Sequence, residues 1–126
     1  MVILAIAAGG AIGAVLRYLA ISACLRGLGA GFPFGTLLVN ILGSFLMGVL
    51  AVLIFERLPT GSRLTAPFLM TGVLGGFTTF SAYSLDAIGL LERGRYLAGA
   101  GYMAGSVLFS ILALVAGLAI AREVAA

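Results

Sequence analysis

The sequence predicts an all-α membrane protein with four transmembrane helices in a single domain spanning residues 1–126, the third of them broken. Three observations predict this class. Of the 126 residues, 63% are hydrophobic and only 9% are charged, a balance far from that of a soluble domain. The charged residues cluster at a few positions and divide the chain into four apolar stretches. A glycine- and hydroxyl-rich segment interrupts the third stretch.

The four predicted spans are residues 2–25, 32–55, 64–91 and 96–121. Each exceeds the ~20 residues that cross a hydrocarbon core of ~30 Å. The first span lacks a basic n-region and stays apolar too long for a cleaved signal peptide, so we expect it to remain as a helix. The short connections predict antiparallel neighbouring helices and leave no room for an extramembrane domain.

The interruption in the third span is Gly75-Gly76-Phe77-Thr78-Thr79-Phe80-Ser81. Within a bilayer an unpaired peptide group is costly, so irregular backbone is tolerated only where protein, water or an ion satisfies it. The sequence therefore predicts an ion or substrate site at this break.

Neutral hydrogen-bond donors dominate the polar residues of the spans. Two sets recur at intervals of four and so each lines one helix face: Thr36, Asn40 and Ser44 in the second span, and Tyr102, Ser106 and Ser110 in the fourth. Amide and hydroxyl donors can replace the water shell of a small anion without trapping it. For a single Ser or Thr, hydrogen bonding between helices or to the preceding turn is the alternative. Asn40 is the strongest candidate, because a primary amide in hydrocarbon is costly without partners.

Two aromatic residues follow the break at helical spacing, Phe80 and Tyr83. A ring edge carries positive potential and favours an anion, although packing is the commoner role of such residues. Asp86, five residues beyond Ser81, is interpreted as an interfacial residue that caps a helix or pairs with Arg17 or Arg93.

Arginines are balanced between the two membrane sides. Side A, which carries the N-terminus, has Arg57, Arg63 and Arg122, and side B has Arg26, Arg93 and Arg95. The positive-inside rule then gives almost no orientation preference. Two alternatives stay open: insertion both ways with assembly as an antiparallel pair, or one orientation set by Arg17 or the N-terminal amine.

Three glycine pairs spaced four apart allow close helix approach: Gly9 and Gly13, Gly72 and Gly76, and Gly101 and Gly105. We expect packing roles for the first and last pairs. For the middle pair, backbone freedom at the break is an equal alternative.

Three blocks resemble the Fluc family of small dual-topology fluoride channels: residues 10–18 (GAIGAVLRY), 35–45 (GTLLVNILGSF) and 72–81 (GVLGGFTTFS). The resemblance implies an antiparallel homodimer in the bacterial plasma membrane, with two pores that export fluoride passively and selectively. It also implies a structural sodium ion held by backbone carbonyls at the breaks of both subunits, here those of Gly75 and Thr78. Carbonyls at a broken helix suit sodium without a carboxylate.

The resemblance also assigns pore residues. The family's pore asparagine falls on Asn40, its first pore phenylalanine on Phe80, and its polar track on Tyr102, Ser106 and Ser110. Two positions depart from the family: Tyr83 replaces the second pore phenylalanine, and Leu114 ends the polar track one turn early. Arg17 matches the family's first-helix arginine, for which we expect a structural or vestibule role.

Other functional classes fit less well. A small proton-coupled multidrug or cation exporter of dual topology is the alternative, but it needs a carboxylate deep in the first helix, and this span has none. A membrane scaffold would leave the break unexplained. We expect no enzyme, because no nucleophile and base can be assembled within the spans. With one Cys, Cys24, and no His, neither an intrachain disulfide nor a transition-metal site is expected. We also expect no nucleic-acid partner.

Overall fold

Helices account for nearly all of the computed structural model, which describes residues 1–58 and 62–126. The α-helices are α1 (Val2–Leu28), α2 (Phe34–Ala51), α3 (Ser62–Ala66), α4 (Gly75–Phe77), α5 (Phe80–Glu92) and α6 (Tyr96–Val124). A π-helical segment, Val52–Arg57, continues α2, and a second one, Pro67–Leu74, joins α3 to α4. The described residues contain no strand, and the predicted all-helical class is confirmed for them.

Three helical stretches are long and apolar enough to cross a membrane: Val2–Leu28, Phe34–Arg57 and Tyr96–Val124. They overlap almost completely with the first, second and fourth predicted spans, with bounds that differ by at most three residues. The region of the third, residues 64–91, is divided among α3, the second π-helical segment, α4 and α5. Of the predicted connection 56–63, residues 59–61 lie outside the described residues.

Two extended residues, Thr78 and Thr79, separate α4 from α5, and we call them the Thr78–Thr79 link. Their φ and ψ angles are −84° and 158° at Thr78 and −154° and 119° at Thr79. The Thr78 N–H and the Thr78 hydroxyl both donate to the Leu74 carbonyl, at 3.0 and 2.9 Å. The Thr79 hydroxyl then caps α5 by accepting from the Ala82 N–H at 3.1 Å. Threonine side chains thus satisfy one end of each flanking helix.

The N-terminal helix packs on the chain preceding this link through glycine faces. A Cβ added at Gly9 would collide with the Phe68 carbonyl, and one at Gly13 would lie 2.9 Å from the Phe77 nitrogen. On the opposing face, a Cβ at Gly76 would lie 2.6 Å from the Gly10 carbonyl oxygen. Close approach therefore explains Gly76, and the first glycine pair packs as predicted.

The last glycine pair does not pack within the chain, so that expectation is wrong for the described residues. Nothing lies within 4 Å of a Cβ added at Gly101, and one at Gly105 meets only Phe109 of the same helix. The fourth span instead approaches α2 through Gly117, where an added Cβ would collide with the Phe45 carbonyl. Small residues mark a possible packing face, but the neighbouring helix decides which one is used.

Polar contacts connect the helix ends on both sides of the molecule. On side A the Arg122 guanidinium pairs with the Glu56 carboxylate at 2.8 Å. On side B the Arg95 guanidinium donates to the Gly31 carbonyl. These contacts join the two ends of the α6 region to the segments that precede and follow α2.

Candidate functional site

A cavity of about 260 Å³ lies between α2, α6 and the Thr78–Thr79 link, and we call it the polar cavity. Its lining residues are all uncharged: Asn40, Ser44, Thr78, Thr79, Phe80, Tyr83, Ser106, Val107, Ser110 and Ile111. Five of the six predicted pore residues are therefore brought together, and the sixth, Tyr102, is not among the lining residues. Of the two predicted sodium ligands, Thr78 lines the cavity and Gly75 does not.

Asn40 is hydrogen-bonded to the backbone of the link rather than pointing freely into the cavity. Its Nδ2 donates to the Thr79 carbonyl at 2.9 Å, and its Oδ1 accepts from the Thr79 N–H at 2.8 Å. We call this two-bond pairing the amide clasp. A carboxamide has two N–H donors, so one hydrogen on Nδ2 remains for a ligand in the cavity.

The sequence analysis missed the part that Thr79 plays in this site. Thr79 is buried, caps α5 and supplies both backbone groups of the amide clasp. A Thr immediately before an apolar helical run is a capping signal, and this signal could have marked the start of α5. No local pattern relates Thr79 to Asn40, which lies 39 residues earlier.

Ser106 presents an unused donor to the polar cavity. Its side chain is only 5% exposed, and its Oγ has no hydrogen-bond partner among the described residues. A buried hydroxyl without a partner is costly, so such groups in native proteins call for a ligand or water. Ser44 and Ser110, both half-buried, add further hydroxyls to the same lining.

A chain of aromatic rings runs from the polar cavity toward side B. Phe80, which is 76% exposed, lies with its ring centroid 5.3 Å from that of Tyr83. Tyr83 lies 5.4 Å from Tyr102, and Tyr102 meets Phe32 edge-on at 5.5 Å. The Tyr83 hydroxyl donates to the Met103 carbonyl at 3.3 Å. The hydroxyl that distinguishes this chain from the family pattern is thus bonded to the α6 backbone.

Tyr102 contacts Phe32 and Asp86, two residues that line a second cavity of about 340 Å³ at side B. It is 1% exposed, and its hydroxyl donates to Asp86 Oδ2 at 3.3 Å. Asp86 and Arg93 line the second cavity. The hydrogen-bond partner of Asp86 in the structure is therefore Tyr102, not Arg17 or Arg93 as expected from the sequence. Residue 86 faces α6 across the helix pair, which linear spacing could not reveal.

Any cation at this site would have to bind to oxygen atoms other than those of a carboxylate cluster. Across residues 1–58 and 62–126, no group of three or more His, Cys, Asp or Glu side chains is close enough to hold a metal ion. Carbonyl oxygens remain, and two of them lose their helical donors at the link. In a continuous α-helix the Thr79 N–H would donate to Gly75 and the Ala82 N–H to Thr78. Both donors go to other acceptors here, Asn40 Oδ1 and Thr79 Oγ1.

The helices and the uncharged cavity between them define a multi-pass membrane protein with a polar site among its apolar helices. A family model described as CrcB-like protein, Camphor Resistance (CrcB), matches residues 4–118, and the chain belongs to this family. Together with the names of the relatives described next, this match confirms the resemblance to the fluoride channel family and the predicted location in the bacterial cell membrane.

Three relatives of high sequence identity have the same name. Proteins called "Fluoride-specific ion channel FluC" from Rhizobium meliloti (strain 1021) and Cereibacter sphaeroides (strain ATCC 17029 / ATH 2.4.9) are each 52% identical over 120 residues. Both alignments cover 95% of this chain; they cover 95% of the Rhizobium meliloti protein and 94% of the Cereibacter sphaeroides protein. A protein of the same name from Agrobacterium fabrum (strain C58 / ATCC 33970) is 52% identical over 118 residues, or 94% of both chains. These relatives are named as channels, which agrees with the prediction that the chain is not an enzyme.

Proposed function

We propose that this chain is a fluoride channel that lets fluoride leave the cell passively and selectively. The observation that carries the proposal is the polar cavity, in which uncharged donors from α2 and α6 converge and the buried Ser106 hydroxyl has no partner in the described part of the chain. The names of the relatives support fluoride as the anion.

The chemistry of the cavity suits a small anion. Taking an anion out of water is costly unless hydrogen-bond donors replace its shell. The free Nδ2 hydrogen of Asn40 and the hydroxyls of Ser106 and Ser110 supply such donors, and the exposed ring of Phe80 offers an edge of positive potential. None of these groups carries a full charge, so the anion binds weakly enough to move on.

The exposed surface around the link supports an antiparallel homodimer. Segments 62–92 form one broken third transmembrane helix in this proposal, and Gly75, Phe80 and Ser81 are exposed at its break. Irregular backbone at membrane depth must be covered by protein or line a water-filled path. A second copy inserted in the opposite orientation covers it on a two-fold axis in the membrane plane, and the dimer has two pores. The balance of arginines between side A and side B permits both orientations.

A structural sodium ion at the centre of this dimer is the second part of the proposal. The carbonyls of Gly75 and Thr78 fit such an ion, because the α-helical donors of both are diverted to other acceptors. Unwound backbone carbonyls are known to coordinate sodium in membrane proteins. When bound, the ion supplies positive charge that ties the two breaks together.

Removing sodium is expected to destabilise the dimer, because a ligand that binds only the folded state raises its stability by mass action. The measurement is thermal unfolding of the purified protein in sodium and in N-methyl-D-glucamine at equal ionic strength. Potassium serves as a control for cation size. The same melting temperature in sodium and in the organic cation would remove the ion from the proposal.

Fluoride efflux from liposomes tests the function itself, beside chloride efflux under the same gradients. Rapid fluoride efflux with negligible chloride efflux is the expected result. Absence of fluoride efflux from a folded dimer, or equal rates for both anions, would refute a selective fluoride channel.

Tyr83→Phe is expected to preserve fluoride flux, because the hydroxyl it removes is bonded to the Met103 carbonyl. Loss of that hydrogen bond should lower the free energy of unfolding by about 1 kcal/mol. Tyr96→Phe, at an exposed position on the same side, is the matched control and should change neither quantity. A large loss of flux in Tyr83→Phe at unchanged stability would instead make the hydroxyl an anion donor.

A further inference from the structure

The amide clasp joins Asn40 to both backbone groups of a single residue. The bonds from Asn40 Nδ2 to the Thr79 carbonyl and from the Thr79 N–H to Asn40 Oδ1 measure 2.9 and 2.8 Å. Both are of ordinary hydrogen-bond length, and together they resemble the pairing of two peptide groups across neighbouring strands. The carboxamide thus fixes the orientation of the Thr79 peptide groups as well as satisfying them.

The clasp has a consequence one turn earlier in the chain. The Thr79 N–H is the donor that an α-helix would give to the Gly75 carbonyl. Because Asn40 Oδ1 takes this hydrogen, the Gly75 carbonyl loses its helical partner. The carbonyl of Thr78 loses its own helical partner because the Thr79 hydroxyl takes the Ala82 N–H. Both diversions depend on Thr79, which Asn40 holds in place.

The backbone of α2 supports the same region at a second point. An added Cβ at Gly43, three residues after Asn40, would collide with the Thr78 Cγ2. The absence of a side chain at Gly43 lets α2 approach closely enough for Asn40 to reach Thr79. Both threonines of the link are therefore in contact with one face of α2.

We propose that Asn40 is a positioning residue for the cation site as well as a pore donor: the amide clasp keeps the Thr79 N–H away from the Gly75 carbonyl and so leaves that carbonyl free to bind a cation. This inference rests on the proposed function, in which Gly75 and Thr78 hold sodium. One side chain then contacts both sites, with its Oδ1 holding the link and its free Nδ2 hydrogen serving the anion. Any coupling of free energy between the two ions through this amide is reciprocal.

Two variants of Asn40 separate the clasp from the anion site. Asn40→Ala removes both clasp bonds, and the Thr79 N–H becomes free to return to the Gly75 carbonyl. Asn40→Asp keeps an oxygen that accepts from the Thr79 N–H, although it loses the donor to the Thr79 carbonyl and puts a negative charge in the cavity. Ser44→Ala is the matched control, since Ser44 lines the same cavity one turn along α2 and lies outside the clasp.

The measurement is the melting temperature of the purified protein in sodium minus that in N-methyl-D-glucamine. We expect the wild-type protein, Ser44→Ala and Asn40→Asp to show a sodium-dependent increase, and Asn40→Ala to lose it. If sodium raises the melting temperature of Asn40→Ala as much as that of the wild-type protein, the proposal is overturned. If Asn40→Ala does not fold, Asn40→Asp decides alone, and loss of its sodium response while Ser44→Ala retains one would overturn the proposal.

The outcomes also separate this inference from the proposed function. A wild-type protein without a sodium response would refute the sodium site and the positioning role together. Fluoride efflux from the same preparation would still test the channel function independently. A wild-type sodium response that persists in Asn40→Ala refutes only the positioning role.

Discussion

Asn40→Asp is expected to abolish fluoride flux through the protein. Every residue that lines the polar cavity is uncharged, so an aspartate there introduces the first full negative charge. At a separation of ~4 Å and an effective dielectric constant of ~20, two like unit charges repel by about 4 kcal/mol. That penalty corresponds to a roughly thousandfold decrease in anion occupancy. The measurement is the initial rate of fluoride efflux from liposomes.

Folding controls are essential for this variant, because the aspartate also sets a carboxylate against the Thr79 carbonyl, which now receives a hydrogen from Asn40. The dimer should therefore be checked by size-exclusion chromatography and by its melting temperature in sodium. Ser44→Ala should reduce flux far less, since it removes one hydroxyl and adds no charge. Wild-type fluoride flux through a folded Asn40→Asp dimer would exclude Asn40 from the conduction path.

Gly48→Ala is expected to cause a large loss of stability. A Cβ at this position would collide with the Leu114 carbonyl and lie 2.9 Å from the Leu118 nitrogen. Both atoms belong to the backbone of α6, which cannot rotate away as a side chain can. Overpacking of this kind costs about 1–3 kcal/mol. Because α2 and α6 form opposite walls of the polar cavity, separating them should also reduce fluoride flux.

Gly101→Ala is the matched control for Gly48→Ala. It adds the same methyl group to a transmembrane helix, but none of the described residues lies within 4 Å of the new atom. Replacing glycine by alanine within a helix favours folding by about 1 kcal/mol where no clash arises. Chemical denaturation of both variants in the same detergent gives the comparison. Equal stability of the two would show that α2 and α6 do not pack through Gly48.

Composition and spacing predicted much of this protein correctly. The apolar stretches located the three long helices, because only an uninterrupted run of such length can pair its backbone and match the hydrocarbon. The four-residue intervals placed Asn40 with Ser44 and Ser106 with Ser110 on single helix faces, and all four residues line the polar cavity. The three blocks that resemble fluoride channels led to the family that the comparisons identify.

Contacts between residues far apart in the chain could not be predicted from the sequence. Spacing showed that Asn40 needed partners, but it could not show that those partners are the backbone groups of Thr79, 39 residues away. Spacing likewise suggested Arg17 or Arg93 as a partner for Asp86, but its hydrogen-bond partner in the structure is Tyr102. Spacing predicted packing for the first and last glycine pairs alike, yet among the described residues Gly101 meets no neighbour whereas Gly9 and Gly13 do.

The physical reason for this division is the range over which each interaction acts. Burial of an apolar run and the period of a helix depend on neighbours in the chain, so the sequence alone determined a polytopic helical membrane protein with neutral donors on two faces. Hydrogen-bond partners and close backbone contacts depend on how whole helices dock. Only the tertiary structure decided that the Asn40 amide pairs with Thr79, and thereby which carbonyls beside the Thr78–Thr79 link are left for an ion.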